Sequence, residues 1–312
     1  MSEARLRRLR DELEEAGFTL DPTDERDMIA LAEVDYALRP TVHERRIPSV
    51  GAIIEPTTPV DEWQPGTHLV VAHAPVEAMP LTGARLFADG LSSWIIRRVS
   101  GDDEWAVFDR PAGSERDLVV LAETTGATLV QRHPNGQVRI VGEHGVLRWD
   151  GLTWRSEAPV SRWIDALAVC GLNGEGDVLE TLLEFAVHDL GARGIGATLV
   201  FRPEDGDAPY EVRLPPPPAL DITQPESLAP LRHALAQIDG AAVFDGRGVL
   251  RELGVRLVPS VVAETSVEGL RGMRHTSGRR YSFDDAAATV IVVSEDGPVT
   301  VLRNGELLAR TT

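Results

Sequence analysis

Residues 182–201, LLEFAVHDLGARGIGATLVF, decide the fold class of the C-terminal half of the chain. Apolar residues recur at helical spacing up to Leu190, which predicts a helix over 176–190 that ends at Gly191. The apolar run 195–201 predicts a buried strand. A helix followed at once by such a strand is typical of an α/β domain.

The remaining C-terminal sequence continues the alternation. A helix is predicted over 226–237, after an extended Pro215–Pro218 run. Asn304-Gly305 separates two short apolar runs and predicts a hairpin. Further strands are predicted at AAVFD, VRLVPS and TVIVVSE. We therefore expect an α/β domain with a mixed sheet flanked by helices.

The N-terminal half has a different pattern. Helices are predicted over 3–16 and 24–37, the second capped by Thr23. A β-rich region follows, with hairpin turns at Pro134–Gln137 and Asp150-Gly151. The predicted strands include VGAIIEP, THLVVAHAPV, SWIIRRVS, EWAVFDR, DLVVLAET, ATLVQRH, QVRIVGE and GVLRWDGLTWR. This half is expected to be a smaller β-rich domain with two leading helices.

Chain length and tryptophan distribution predict two domains. At about 150 residues per domain, 312 residues suggest two. All six Trp residues lie at or before Trp163, which indicates a boundary between 150 and 165. We predict an N-terminal domain over 1–155 and a C-terminal domain over 156–312.

Composition limits the classes of partner. The 31 basic residues are all Arg and the acidic residues number 49, which gives a net charge of −18. Such a chain is not expected to bind nucleic acid or anionic membranes nonspecifically, although converging arginines can bind an anion locally. The single cysteine, Cys170, excludes an internal disulfide and a multi-cysteine zinc site. With no apolar segment typical of a signal peptide or a membrane span, we expect a cytoplasmic protein.

Two segments carry residues suited to chemistry. At 238–243, IDGAAV, an acidic residue at a helix-to-strand junction precedes small residues that would let a ligand approach the backbone. At 272–280, GMRHTSGRR, guanidinium and hydroxyl groups open a predicted helix, a set suited to a triphosphate. Taken alone, each segment also fits an ordinary turn. The glycines at 191, 194 and 196 follow a helix rather than a strand, and so predict a turn and not a dinucleotide loop.

Together the two segments resemble the motifs of the diadenylate cyclase domain family. Asp239-Gly240-Ala241 matches its Asp-Gly-Ala motif, and Arg274-His275 matches the start of its Arg-His-Arg motif. Residues 182–201, 247–260 and 290–307 are similar to neighbouring family segments, so the resemblance covers about 160–312. The third motif position is Thr276 rather than Arg, which leaves ATP binding expected and full activity in question. Arg279 or Arg280 is a candidate to compensate.

The resemblance implies an enzyme that condenses two ATP into cyclic di-AMP and two pyrophosphates across a face-to-face dimer, with the N-terminal domain as a sensor or regulator. One alternative is a module that binds ATP or a cyclic dinucleotide without turnover, and another is a transferase with a linear or mixed product. The implied cofactor is Mg²⁺ or Mn²⁺. Glu295 is a candidate ligand of this metal, and it is equally well explained as an exposed acidic residue of a hairpin. The implied site residues are Asp239, Arg274 and His275 for catalysis; Gly240, Ala241, Thr276, Ser277 and Arg279 for nucleotide binding; and Asp239 and Glu295 for the metal.

Overall fold

The computed structural model describes residues 3–40, 42, 47–76, 79–169, 176–203, 209–295 and 298–311. Cys170 lies outside this set. The chain divides into two compact units, Met1–Pro159 and Val160–Thr312. Within the described residues, no helix is long and apolar enough to cross a bilayer.

The N-terminal unit is built on an eight-stranded sheet in the order β2-β4-β3-β1-β5-β6-β7-β8. The β1 and β3 strands pair in parallel, and the other neighbours are antiparallel. Its strands are β1 (Val50–Ile54), β2 (Val71–Pro75), β3 (Ser93–Arg97), β4 (Glu104–Phe108), β5 (Thr128–Arg132), β6 (Val138–Gly142), β7 (Gly145–Trp149) and β8 (Trp154–Glu157). Its helices are α1 (Glu3–Glu15), α2 (Glu25–Leu38), α3 (Gln64–Thr67), α4 (Leu81–Ala84) and α5 (Glu115–Thr125), with 3₁₀ turns at Val60–Glu62 and Arg85–Phe87.

Helices cover both faces of this sheet because its strands are apolar on both sides. On one face, Leu13 of α1 and Val34 of α2 pack with strand residues such as Val130 and Ile140. On the other face, Leu118 of α5 packs in a cluster with alternate strand residues. The predicted β-rich domain with two leading helices is confirmed, with an additional helical layer.

Two local predictions in this unit are wrong. The segment 117–124, DLVVLAET, forms most of α5 rather than a strand. Its five consecutive apolar residues mimic a buried strand, but Ser114 and Asp117 form a capping box that starts a helix. The cap of α2 is Asp24, whose side chain accepts from the amides of Arg26 and Asp27, whereas Thr23 bonds to Asp21.

The C-terminal unit contains a seven-stranded mixed sheet in the order β10-β12-β11-β9-β13-β14-β15. The β9 and β11 strands pair in parallel, and the other neighbours are antiparallel. Its strands are β9 (Ala197–Phe201), β10 (Tyr210–Glu211), β11 (Ala241–Phe244), β12 (Leu250–Leu257), β13 (Thr289–Val293), β14 (Val299–Arg303) and β15 (Glu306–Arg310). Its helices are α6 (Val160–Val169), α7 (Gly176–Glu184), α8 (Pro225–Leu235), α9 (Val261–Ser266) and α10 (Met273–Asp284), and α7 continues into a π-helical turn at Phe185–Leu190 and a 3₁₀ turn at Gly191–Arg193.

Alternate residues of this sheet pack against helices on opposite faces. Leu199 and Phe244 join a core with α7 and α8, while Val200 and Val243 join a second core with Tyr281 of α10. The predicted helix-flanked mixed sheet is therefore confirmed. Gly278 brings α10 onto this second face, because a Cβ atom there would lie 3.1 Å from Val292 and 3.2 Å from Val290.

Candidate active site

The two segments singled out by sequence lie at one cavity of about 650 Å³ in the C-terminal unit. Asp239 and Gly240 lie between α8 and β11, and the second segment forms the N-terminal turns of α10. Six of the predicted site residues line this cavity: Asp239, Gly240, Ala241, Arg274, Thr276 and Ser277. The fold thus brings together residues more than 30 positions apart in sequence.

Gly240 lies where the chain passes close to β12. Its φ of +107° is strained for any other residue. A Cβ atom there would lie 2.7 Å from the backbone carbon of Gly254. This glycine keeps the start of β11 against β12 and leaves backbone rather than side chain at the cavity wall. Asp239, directly before it, is exposed to solvent.

The N-terminus of α10 faces the same cavity. Gly272 precedes the helix with φ +98° and has no side chain that could cap it. The amide of Thr276 donates to the carbonyl of Gly272, so the amides of Met273, Arg274 and His275 precede the first helical hydrogen bond. The partial positive charge of this helix end therefore meets the cavity, an arrangement that favours an anion.

Arg274 forms an ion pair with Glu295. Its Nη1 lies 3.0 Å from Oε1 of Glu295, and both side chains are substantially exposed. A Cβ atom at Gly196 would overlap the guanidinium, so Gly196 makes room for this pair. Glu295 does not line the cavity that contains Asp239. The two residues predicted to bind a metal thus lie in different surroundings.

The hydroxyl groups of the second segment are bonded within the chain. Thr276 Oγ1 donates to the carbonyl of Leu270 at 2.7 Å, and Ser277 Oγ donates to the carbonyl of Arg274 at 3.2 Å. The Thr276 bond ties the loop before α10 to the helix. Both side chains line the cavity, but their protons are directed to backbone carbonyls in this state.

His275 lies in a second cavity, of about 520 Å³, on the other side of the α10 N-terminus. Its Nε2 is 3.2 Å from Oγ1 of Thr300. Burial lowers the pKa of His275, and the positive charges of Arg310 and Arg274 lower it further. The imidazole is therefore neutral at neutral pH. Arg274 lines both cavities, whereas His275 lines only the second and Asp239 only the first.

The structure separates the two arginines that end the segment. Arg279 turns away from the first cavity: its Nε donates to the carbonyl of Gly305 at 2.6 Å and its Nη1 to that of Glu268 at 3.1 Å. Arg280 lines the cavity instead. The signal that distinguishes them is helical spacing, since position 280 is one turn beyond Thr276 and shares its face.

The cavity is cationic although the chain is acidic. Its lining includes Arg213, Arg256, Arg274 and Arg280, while Asp239 is the one carboxylate among the described lining residues. The sequence did not single out Arg213 or Arg256, which lie after β10 and within β12. An excess of positive charge in a chain of net charge −18 indicates an anionic ligand.

Comparisons with known proteins agree with the two-domain organisation. Residues 7–157 match the family model described as "Probable sensor domain DACNK". Residues 184–307 match the family model described as "DisA bacterial checkpoint controller nucleotide-binding" (DAC). No curated protein matches the chain.

One similar solved structure is a hypothetical membrane spanning protein from Bacillus cereus. It shares 19% sequence identity, with a TM-score of 0.34, and the match covers 44% of this chain and 64% of that chain. The match thus spans less than two thirds of that chain. The two family matches together show an N-terminal region that matches the DACNK sensor-domain model, followed by a C-terminal region that matches the DAC nucleotide-binding model.

Proposed function

We propose that this protein is a diadenylate cyclase that converts two ATP into cyclic di-AMP and two pyrophosphates, under control of its N-terminal domain. The observation that carries the proposal is the cavity where Asp239-Gly240-Ala241 meets the N-terminus of α10. It offers backbone for a nucleoside, a carboxylate and an excess of arginines for phosphates. The DAC family match supports the same class of ligand.

In this reaction the 3′-oxygen of each ATP forms a bond to the α-phosphorus of the other. The bond from each α-phosphorus to pyrophosphate breaks, and each 3′-hydroxyl loses its proton. Asp239, which lines the cavity, would assist that hydroxyl as a proton acceptor or as a ligand of a divalent cation. Arg274 and the α10 amides would offset the charge that develops on the leaving pyrophosphate. His275 lines the adjacent cavity, so it would contact the phosphates only if they extend past Arg274, which lines both cavities.

The described residues fit a divalent cation that arrives with the nucleotide. No three His, Cys, Asp or Glu side chains converge as a ligand set within the described residues. Mg²⁺ commonly uses one or two carboxylates together with substrate phosphates, and Asp239 provides one such carboxylate at the cavity. A bound Mg²⁺ or Mn²⁺ supplies charge neutralisation at the phosphates. Glu295 is the second proposed ligand and would have to leave Arg274 to bind.

The reaction requires two copies of the chain. One cavity binds one ATP, and the ring closes only when two α-phosphates face two 3′-hydroxyls. We therefore propose an isologous two-fold dimer as the active form, with each copy contributing its own Asp239 and α10.

A second candidate is a module that binds ATP or a cyclic dinucleotide without turnover. Thr276 favours it, because its hydroxyl is held by the carbonyl of Leu270 and does not point a donor into the cavity. The two candidates share the ligand and differ in product.

The test is product analysis by mass spectrometry after incubation of the intact chain with ATP and Mg²⁺ or Mn²⁺. We expect cyclic di-AMP from the natural chain and from a Glu226→Gln control, which changes an exposed acid of α8 outside the cavity. We expect none from Asp239→Asn, and activity per protomer should rise with protein concentration. Saturable ATP binding without product would support the second candidate; neither binding nor product would refute both.

A further inference from the structure

The positive charge of the cavity is concentrated on arginines outside the two sequence motifs. Three of its four arginines, Arg213, Arg256 and Arg280, lie outside the Asp-Gly-Ala and Arg-His-Arg motif positions, although Arg280 ends the segment 272–280. The fourth, Arg274, is compensated by Glu295 at 3.0 Å.

Arg280 enters the cavity wall without a carboxylate partner among the described residues. Its Nε donates a long hydrogen bond to the carbonyl of Val267, at 3.4 Å. A carbonyl carries no net charge, so the positive charge of the guanidinium is not compensated by this hydrogen bond. Its remaining N–H donors are in the part of the side chain beyond Nε, which suits the fork-like binding of phosphate oxygens.

Arg213 and Arg256 differ in whether a carboxylate lies near the guanidinium group. Arg256 lies 3.9 Å from Glu211 and is 63% exposed. Arg213 has no ion pair within the described residues, and it is also exposed. The uncompensated charge of the cavity thus lies on Arg280, which is half-buried, and on Arg213.

We infer that Arg280, assisted by Arg213, forms the phosphate subsite of this cavity for a nucleoside polyphosphate. Thr276 lies one helical turn before Arg280 on the same wall, and its hydroxyl is committed to Leu270. Arg280 therefore supplies at this wall the guanidinium that position 276 does not. The inference rests on the proposed function only in that the cavity binds ATP.

The test compares affinity for α,β-methylene ATP, which lacks the cleavable bridging oxygen, with affinity for adenosine. Arg280→Ala should weaken binding of the triphosphate about 10- to 100-fold, the effect of losing one hydrogen-bonded charge. Adenosine affinity should change less than about twofold. Arg213→Ala should produce a smaller loss in the same direction, because that side chain is more exposed.

Two further variants separate phosphate contact from structural damage. Arg251→Ala removes an arginine of β12 that pairs with Asp245 outside the cavity, and it should leave both affinities unchanged. Thr276→Arg combined with Arg280→Ala should regain most of the triphosphate affinity, because it returns a guanidinium to the same face of α10.

The outcomes are distinguishable. Failure of the natural chain to bind the analogue would refute the proposed function itself. Binding by the natural chain with equal affinity in Arg280→Ala would overturn the inference alone. Equal losses for triphosphate and adenosine in Arg280→Ala, with no recovery on adding Thr276→Arg, would also overturn it, because they would assign Arg280 a structural role.

Discussion

A buried cluster of the N-terminal unit and the cavity of the C-terminal unit place their arginines in different electrostatic settings. In the N-terminal unit, buried Glu33 accepts two hydrogen bonds from Arg85, at 2.9 and 2.7 Å, and also pairs with Arg97. In the C-terminal cavity, Arg280 and Arg213 have no carboxylate partner within the described residues. The same residue type thus serves the fold in one unit and is left available for a ligand in the other.

A second buried cluster in the N-terminal unit also pairs its arginines with carboxylates. Arg148 donates to both carboxylate oxygens of Glu115, at 2.6 and 2.5 Å, and Arg139 lies 3.8 Å from the same carboxylate. Glu157 lies 4.0 Å from Arg148. A buried charge is stable only when it is compensated, so these pairs hold the sheet and α5 together. Arg280, which is half-buried at the cavity, lacks such a carboxylate partner among the described residues, and this contrast underlies its proposed role in phosphate binding.

The largest expected effect comes from breaking a buried pair. Glu115→Gln leaves the buried Arg139 and the partly buried Arg148 without their shared counter-charge, and should lower the free energy of unfolding by about 3 to 5 kcal/mol. Tryptophan fluorescence during urea unfolding measures this, since Trp residues 63, 94, 105, 149 and 154 lie in the N-terminal unit. Glu211→Gln, which changes an exposed acid, is the control. A loss no larger than the control's would contradict the structural role of the cluster.

An intermediate effect is expected from Glu157. Its protonation should make the free energy of unfolding of the N-terminal unit depend on pH. Burial raises the pKa of Glu157 to about 7, Glu115 adds to the rise, and Arg148 opposes it. Because the folded pKa lies above the unfolded one, the stabilising contribution is present below about pH 4.5 and is lost as pH rises to about 7. The loss amounts to about 2 to 3 kcal/mol.

The measurement compares the natural chain with Glu157→Gln, which resembles the protonated acid, by urea unfolding from pH 4.5 to pH 8. The variant should become progressively more stable than the natural chain as pH rises. A constant difference across this range would show that Glu157 stays ionised in the folded state.

The smallest effect is expected at the exposed ion pair of the C-terminal unit. Arg274 and Glu295 have side chains 41% and 65% exposed, so solvent screens their attraction. Glu295→Gln should change the free energy of unfolding by less than about 1 kcal/mol. Calorimetric unfolding of the intact chain measures this, and a loss as large as that of Glu115→Gln would remove the distinction between the two units.

Local sequence signals predicted much of the fold. Asn304 and Gly305 take φ angles of +50° and +76° at the β14–β15 turn, as expected for an Asn-Gly hairpin. The strand prediction for residues 117–124 was wrong because five consecutive apolar side chains fit both a buried strand and a helix packed on a sheet. The capping pair Ser114 and Asp117 was the signal that favours the helix.

The site was predictable to the level of segments rather than side-chain directions. The motifs placed Asp239 and Arg274 together, but the position of His275 in a second cavity depends on how α10 lies on the sheet. Arg213 and Arg256 carry no local motif, since β10 and β12 bring them to the cavity through the tertiary fold. Arg280 could have been preferred over Arg279 from helical spacing alone.

Thermal unfolding with and without α,β-methylene ATP tests the central claim most directly, because a ligand raises the unfolding temperature of the state it binds. Without ligand, Arg280→Ala should unfold like the natural chain, whereas Glu115→Gln should unfold at a lower temperature. With ligand, Glu115→Gln should keep the natural upward shift and Arg280→Ala should lose most of it. A full shift in Arg280→Ala would contradict the claim that its uncompensated arginine binds phosphate.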